Sequence, residues 1–242
     1  QTATSVYWGM TVEESAVSEF SEQAIIEAWQ ENAEPWCAAL ASGAIKSREA
    51  ITNQAIVDAI CRLRPRRVLD IGCGEGWLLQ ALAEQGIAAE GVDVVPELID
   101  AARRRGAQCE CLSYEALARR PASPDYDVIV CNFSLLGESL QSLLAALVGR
   151  LAPGGRVLVQ TLHPVFSRPE RYQSAWQAGS WQGLEPALQK QFKSAAPWFF
   201  RPLSAWIELF CESGLLIERC VEPSSQPGDP AVSIIFQLLA TP

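Results

Sequence analysis

An α/β fold built on a mostly parallel sheet is predicted by three features of the 242-residue sequence. Short apolar, strand-like runs alternate with helical patterns from Val68 to Thr161, the spacing of a parallel sheet covered on both faces. The first run breaks into glycines at alternate positions (VLDIGCGEG, 68–76) and opens straight into WLLQALAEQ, which reads as strand, tight turn and helix. The last two runs are joined only by PSSQPGDP, 223–230. A parallel crossover needs about a dozen residues or more, so that pair must be antiparallel.

The elements follow in order. Residues 1–19 are polar and weakly patterned. From Phe20, apolar residues at Ile25, Ile26, Trp29, Ala33 and Trp36 keep helical spacing, interrupted by Pro35. Gly43 marks a break, and Ser47 can cap a second helix whose face carries Ile51, Ile56, Ile60 and Leu63. After the glycine turn the pattern predicts helix 77–85, strand 88–93, helix 96–105, strand 108–112, helix 114–119, strand 126–132, helix 135–150 and strand 156–161. Gly86 and Pro96 sit where a helix C-cap and a first helical position want them. Residues 163–201 then lose any clean period while staying rich in Trp and Phe, too aromatic for a disordered linker. A helix 203–213 and strands 215–221 and 231–240 complete the chain.

Composition excludes several functions. At 49% hydrophobic and 19% charged the chain can bury a sizeable core, and a net charge of −9 argues against a nucleic-acid partner. The basic cluster CRLRPRR, 61–67, reads as a solvated turn ahead of a buried strand. No apolar stretch is long enough to cross a bilayer and no signal-peptide pattern opens the chain, so a cytoplasmic protein without a membrane partner is expected. The eight cysteines form no CxxC, and with a single histidine no metal site is expected. They read as small buried hydrophobes in a reducing compartment.

Alternate glycines remove every second Cβ, so the 72–76 turn can take positive φ and let a ligand approach its backbone. The dinucleotide fingerprint G-x-G-x-x-G fails, because its third glycine position is Trp77. Asp93 ends the next strand, placed to accept hydrogen bonds from vicinal ribose hydroxyls. The expected ligand therefore has a ribose and no pyrophosphate.

With VLDIGCGEGWLL, GVDVVPELIDAA, DYDVIVCNFSLL and LAPGGRVLVQTLHP, the chain resembles the class I S-adenosylmethionine (SAM)-dependent methyltransferases of the small-molecule UbiG/UbiE kind, from about Trp29 onward. The resemblance implies a Rossmann-like, seven-stranded sheet of order 3-2-1-4-5-7-6 with the last strand antiparallel. It divides the chain into an N-terminal helical cap, 1–62, and a SAM-binding domain, 63–242, with an aromatic lid over about 163–201. It implies SAM as cofactor and S-adenosylhomocysteine (SAH) as product. Asp70, Gly72, Cys73 and Gly74 would line the methionyl and ribose portion, and Asp93 the ribose, with Val94 against adenine. Ser113 and Tyr114 fall near the adenine amino group, where related enzymes often carry a carboxylate that this sequence lacks. Asn132 and Phe133 would face the sulfonium and methionine end. Trp36 and Arg48 join the pocket, Arg48 as the guanidinium fork for the methionine carboxylate or as a solvent-facing helix residue.

The expected reaction moves a methyl group to an O, N or C nucleophile of a small, partly apolar molecule. His163, on the carboxyl edge of the sheet, is the candidate general base or else a structural hydrogen-bonding residue. Tyr172, Trp176, Trp181, Trp198, Phe199 and Phe200 are candidate walls of the acceptor pocket or a satellite core. Strand four ends NFSL rather than NPPY, which disfavours methylation of nucleic-acid bases. A SAM- or SAH-binding protein without turnover is the second reading, and a tRNA or protein methyltransferase the third. A monomer or homodimer is expected.

Overall fold

The computed structural model describes residues 19–43, 48–123, 125–167, 171–182 and 184–241, the side chains of 48–50 excepted. Ser47 and the Arg48 side chain therefore lie outside the described residues. The N-terminal part holds α1 (Glu22–Ala41) and a π-helical turn (Arg48–Asn53) running into α2 (Gln54–Arg62). The alternating region comprises β1 (Arg67–Ile71), α3 (Trp77–Glu84), β2 (Ala88–Asp93), α4 (Pro96–Arg104), β3 (Gln108–Cys111), α5 (Tyr114–Arg119), β4 (Tyr126–Asn132), α6 (Gln141–Val148) and β5 (Leu151–Leu162). Beyond it come β6 (Ala175–Gln177), α7 (Pro186–Gln189), β7 (Trp198–Phe200), α8 (Leu203–Glu212), β8 (Leu215–Val221) and β9 (Ser233–Ala240).

Seven strands form one sheet in the order β3-β2-β1-β4-β5-β9-β8, while β6 and β7 pair separately as a small ribbon. Counting only the large sheet, this is the expected order 3-2-1-4-5-7-6. β9 runs antiparallel to both β5 and β8, as the short 223–230 connection requires.

Side chains alternate between the two faces with period two. Val68, Val128, Val130, Leu158 and Ile235 pack with Ile56 and Ile60 of α2 and Leu78 and Leu82 of α3. Ile71, Ile129, Val159, Phe236 and Leu238 face the other way, against Leu143, Leu144 and Leu147 of α6 and Trp206 and Phe210 of α8. Each such side chain contributes about 1.5–3 kcal/mol by leaving water, so these two layers dominate stability.

Three expectations need correction. Pro35 does not interrupt the first helix: α1 continues through it to Ala41. The lost hydrogen bond is offset by burial on one face, where Ala33, Trp29 and Trp36 pack against Val95 and Leu98. The helix expected over 135–150 is helical only over Gln141–Val148. Leu135–Leu140 is instead a loop held by tertiary hydrogen bonds. Phe199 N–H donates to Leu136 O at 2.8 Å, and Arg201 Nη2 donates to Gly137 O at 2.9 Å and Glu138 O at 2.6 Å. Glu22 Oε1 accepts from the N–H groups of Glu138 and Ser139 at 2.9 and 2.8 Å. Finally, Cys73 and Cys131 are buried as expected, but Cys111, Cys211 and Cys220 are exposed.

α1 is tied to the 163–201 segment. Asn32, fully buried, donates to Ser194 O at 2.9 Å and accepts from Lys193 N–H at 2.7 Å. Trp181 packs 6.2 Å from Trp29 and 4.4 Å from Phe192. Both segments meet beside the carboxyl edge of the sheet, and that edge carries the glycine turn. No helix among the described residues is long and apolar enough to cross a membrane.

Candidate active site

The turn after β1 is built by three glycines at φ +78°, +56° and +81° (Gly72, Gly74, Gly76). The first is demanded by space as well as by conformation, since a Cβ on Gly72 would lie 2.3 Å from Ser134 Cβ. Ser134 in turn donates its hydroxyl to Ile71 O at 2.5 Å, and Tyr114 donates to Ser134 O at 2.9 Å. The N–H groups of Gly72 and Cys73 both reach Val92 O, at 2.8 and 3.0 Å, so the turn is locked to β2. Gly91 makes room for this arrangement, because a Cβ there would meet Cys73 Cβ at 2.6 Å.

At the end of β2, Asp93 accepts from Gly74 N–H through Oδ2 and from Val95 N–H through Oδ1, both at 2.9 Å. One carboxylate thus clamps the glycine turn and the entry to α4, and each oxygen keeps a lone pair for a ligand. Burial raises the Asp93 pKa above its ordinary value, against the lowering effect of the nearby backbone N–H groups of Val95, Gly74 and Val94. Val94 packs in the cluster that holds Trp36, which lies 5.2 Å from Trp29 and 6.4 Å from Trp181. The structure therefore brings together Asp93, Val94, Trp36 and the glycine turn.

β4 ends in Asn132 and then Phe133, whose φ of +54° is a strained conformation for a non-glycine residue and is held by Phe133 N–H donating to Gln160 O at 2.8 Å. Among the described residues, Glu75 Oε1, Asn132 Oδ1 and Gln160 Oε1 are buried oxygens on this edge without a hydrogen-bond donor. Glu75 is 1% exposed and Gln160 likewise 1%. All three are acceptors, so a ligand seated here would have to bring hydrogen-bond donors or positive charge. Sequence reasoning passed over Glu75 and Gln160. The available signals were a carboxylate between two glycines and a polar residue inside VLVQTL on the covered face.

Other candidates take different places. Tyr114 lies beneath the glycine turn, its hydroxyl bonded to Ser134 O, and burial raises its pKa. Ser113 caps α5, accepting from Ala116 N–H at 3.2 Å. His163, 3% exposed, has both ring nitrogens engaged: Nε2 lies 2.7 Å from Glu222 Oε1, and Nδ1 accepts from Val165 N–H at 3.3 Å. That pattern sets the Nε2–H tautomer and ties His163 into the 163–167 turn. The aromatic candidates do not form one wall. In the β6–β7 ribbon, Trp176 pairs with Phe199 while Trp198 shares the opposite face with Phe200, because successive ribbon side chains alternate. Tyr172 meets Phe200 edge-on and accepts from Leu203 N–H at 3.0 Å, and Trp181 joins the α1 cluster. The described residues contain no cluster of three or more metal-ligating side chains.

Comparison with known proteins agrees with this architecture. The ubiquinone biosynthesis O-methyltransferase of Xylella fastidiosa (strain M23) is 38% identical over 105 residues, 40% of this chain and 42% of that protein. The match thus spans about two-fifths of the length of such curated relatives. A SAM-dependent methyltransferase from Leishmania major superposes with a TM-score of 0.65 at 15% identity, covering 90% of this chain and 82% of that one. Magnesium protoporphyrin IX methyltransferase from Synechocystis PCC 6803, solved with bound SAH, gives 0.62 at 16% identity, with 90% and 99% covered. The family model described as a methyltransferase domain matches residues 47–217, which include the glycine turn, Asp93, Asn132 and Gln160. The chain belongs to the methyltransferase-domain family.

Proposed function

We propose that the protein is a SAM-dependent methyltransferase acting on a small, partly apolar molecule. The observation that carries this reading is Asp93, whose carboxylate is clamped to the second glycine of the turn with lone pairs left for a ribose diol. The orphaned oxygens of Glu75 and Asn132 fit the same cofactor, which is rich in donors and positively charged at its sulfonium and α-ammonium ends. When bound, SAM supplies an electrophilic methyl group on a leaving group that departs neutral.

The chain's own residues do the rest. Asp93 holds the ribose end, with Val94 and Trp36 as apolar walls. Asn132 and the strained Phe133 border the methionine end. The 163–201 segment, latched to α1 through Asn32, excludes water and aligns the acceptor. His163 supports that segment's first turn rather than taking a proton, since both nitrogens are committed. The net charge of −9 favours a small molecule over nucleic acid as acceptor.

Calorimetric titration with SAH tests the reading: binding in the micromolar range is expected, and the absence of heat with either SAH or SAM would sink it. A screen of labelled SAM against phenols, amines and carboxylates then identifies the acceptor. In it, His163→Gln should lower thermal stability while leaving the pH profile of kcat in place; loss of an ionisation from that profile would restore the general-base role.

A further inference from the structure

Gln160 lies in the middle of an otherwise apolar run, on the sheet face covered by α2 and the π-helical turn. Its amide orientation is settled by its neighbours. Nε2 donates to Thr52 O at 3.3 Å and to Ser233 Oγ at 3.0 Å, and the Thr52 carbonyl can only accept. The other end of the amide must therefore be the oxygen, and Oε1 is buried without any donor. Leaving such an atom unpaired is costly, and an orphan this well anchored asks for a ligand. The carbonyl that anchors it belongs to a π-helical turn, a rare geometry concentrated at functional sites.

Position decides which ligand. Gln160 on β5 is the register partner of Asn132 on β4, and each carries an orphan oxygen. The sheet order places β2, with Asp93, three strand spacings from β5, about 14 Å at ~4.8 Å per strand. With the ribose at Asp93 and the methionine end between β1 and β4, Gln160 stands beyond the cofactor on the side from which an acceptor must approach.

We infer that Gln160 Oε1 receives the N–H or O–H of the group that is methylated, an inference that rests on the proposed function. An amide oxygen is too weak a base to take the proton. Gln160 is thus a substrate-orienting group, which turns the lone pair of a heteroatom toward the methyl group and selects an N–H or O–H acceptor over a carbon one. The residue needs both its anchors, because a freely rotating amide would present Nε2 as readily as Oε1.

The probe is sinefungin, a cofactor analogue with an amine where SAM carries its methyl sulfonium, so that it presents N–H groups to the acceptor side. Calorimetry should find sinefungin bound at least tenfold more tightly than SAH by the wild-type protein. In Gln160→Met that preference should shrink to about threefold or less, with SAH affinity unchanged. Ser233→Ala, which frees one anchor while keeping Oε1, should reduce it only in part, and thermal unfolding checks that both variants fold. Equal affinities in the wild type, or a preference unaltered in Gln160→Met, overturns the assignment, as does a parallel loss of SAH affinity, which would make Gln160 a cofactor ligand. Failure of the wild type to bind SAH at all would instead refute the methyltransferase reading.

Discussion

Replacing Asp93 with Asn separates what this carboxylate does for folding from what it does for binding. In the folded chain its two oxygens each accept one backbone N–H, from Gly74 and Val95, both at 2.9 Å. An amide can accept at only one end, so one N–H then faces the NH2 group. That mismatch costs about 1–3 kcal/mol. An opposing term follows from burial, which raises the carboxyl above its ordinary 3.8. For a raised group the folded state is favoured below the unfolded pKa, and that advantage is lost as the pH climbs through the folded value, so at neutral pH the ionised carboxylate is a net electrostatic burden. Asn removes that burden. The two terms leave a stability change of no more than about 1–2 kcal/mol. Binding has no such cancellation: the ribose diol loses a charged acceptor, and one such bond, worth about 1.5–3 kcal/mol, corresponds to about a ten- to hundredfold rise in Kd. Urea unfolding gives the first quantity and SAH calorimetry the second. An SAH Kd within threefold of wild type, in a variant shown to be folded, would refute the assignment of Asp93 to the ribose.

Other perturbations probe the scaffold. Gly72→Ala combines a left-handed φ of +78° with a contact 2.3 Å from Ser134 Cβ, and should lower stability by about 2–4 kcal/mol in a urea titration. Glu218 is held down to about 2 by the Arg156 guanidinium, at 2.6 Å, and by Gln237. A depressed carboxylate stabilises above its unfolded pKa, so its contribution should fade between about pH 4.5 and pH 2; screening at this partly exposed site limits it to about 1 kcal/mol. Glu218→Gln should flatten that limb of the acid-unfolding curve. Asn32→Ala removes the two bonds that pin Lys193 and Ser194 to α1, and limited proteolysis should then cut within 181–194 several-fold faster, whereas an unchanged rate would show that the aromatic cluster alone holds the latch.

Wherever one short-range pattern decides the outcome, the sequence was readable. The alternation of apolar runs located β1 to β5, and the strand ending at Asp93 and the helix over 114–119 agree to the residue. Eight residues between the last strands were enough to make them antiparallel, because chain reach leaves no other option. The glycine turn and Asp93 were legible for a similar reason, since both depend on backbone geometry within a single β-turn-α-β unit. What tertiary structure alone decided depends on partners distant in sequence. Leu135–Leu140 has a helical pattern but is drawn out of a helix by Glu22, Phe199 and Arg201. Tyr114 is tied under the loop by Ser134 O, and His163 Nε2 is engaged by Glu222. Gln160 became a directed acceptor only because Thr52 and Ser233, 108 and 73 residues away, hold its other end. Local propensity and spacing are carried by the residues themselves; the direction of a buried polar group is set by whatever the fold brings against it.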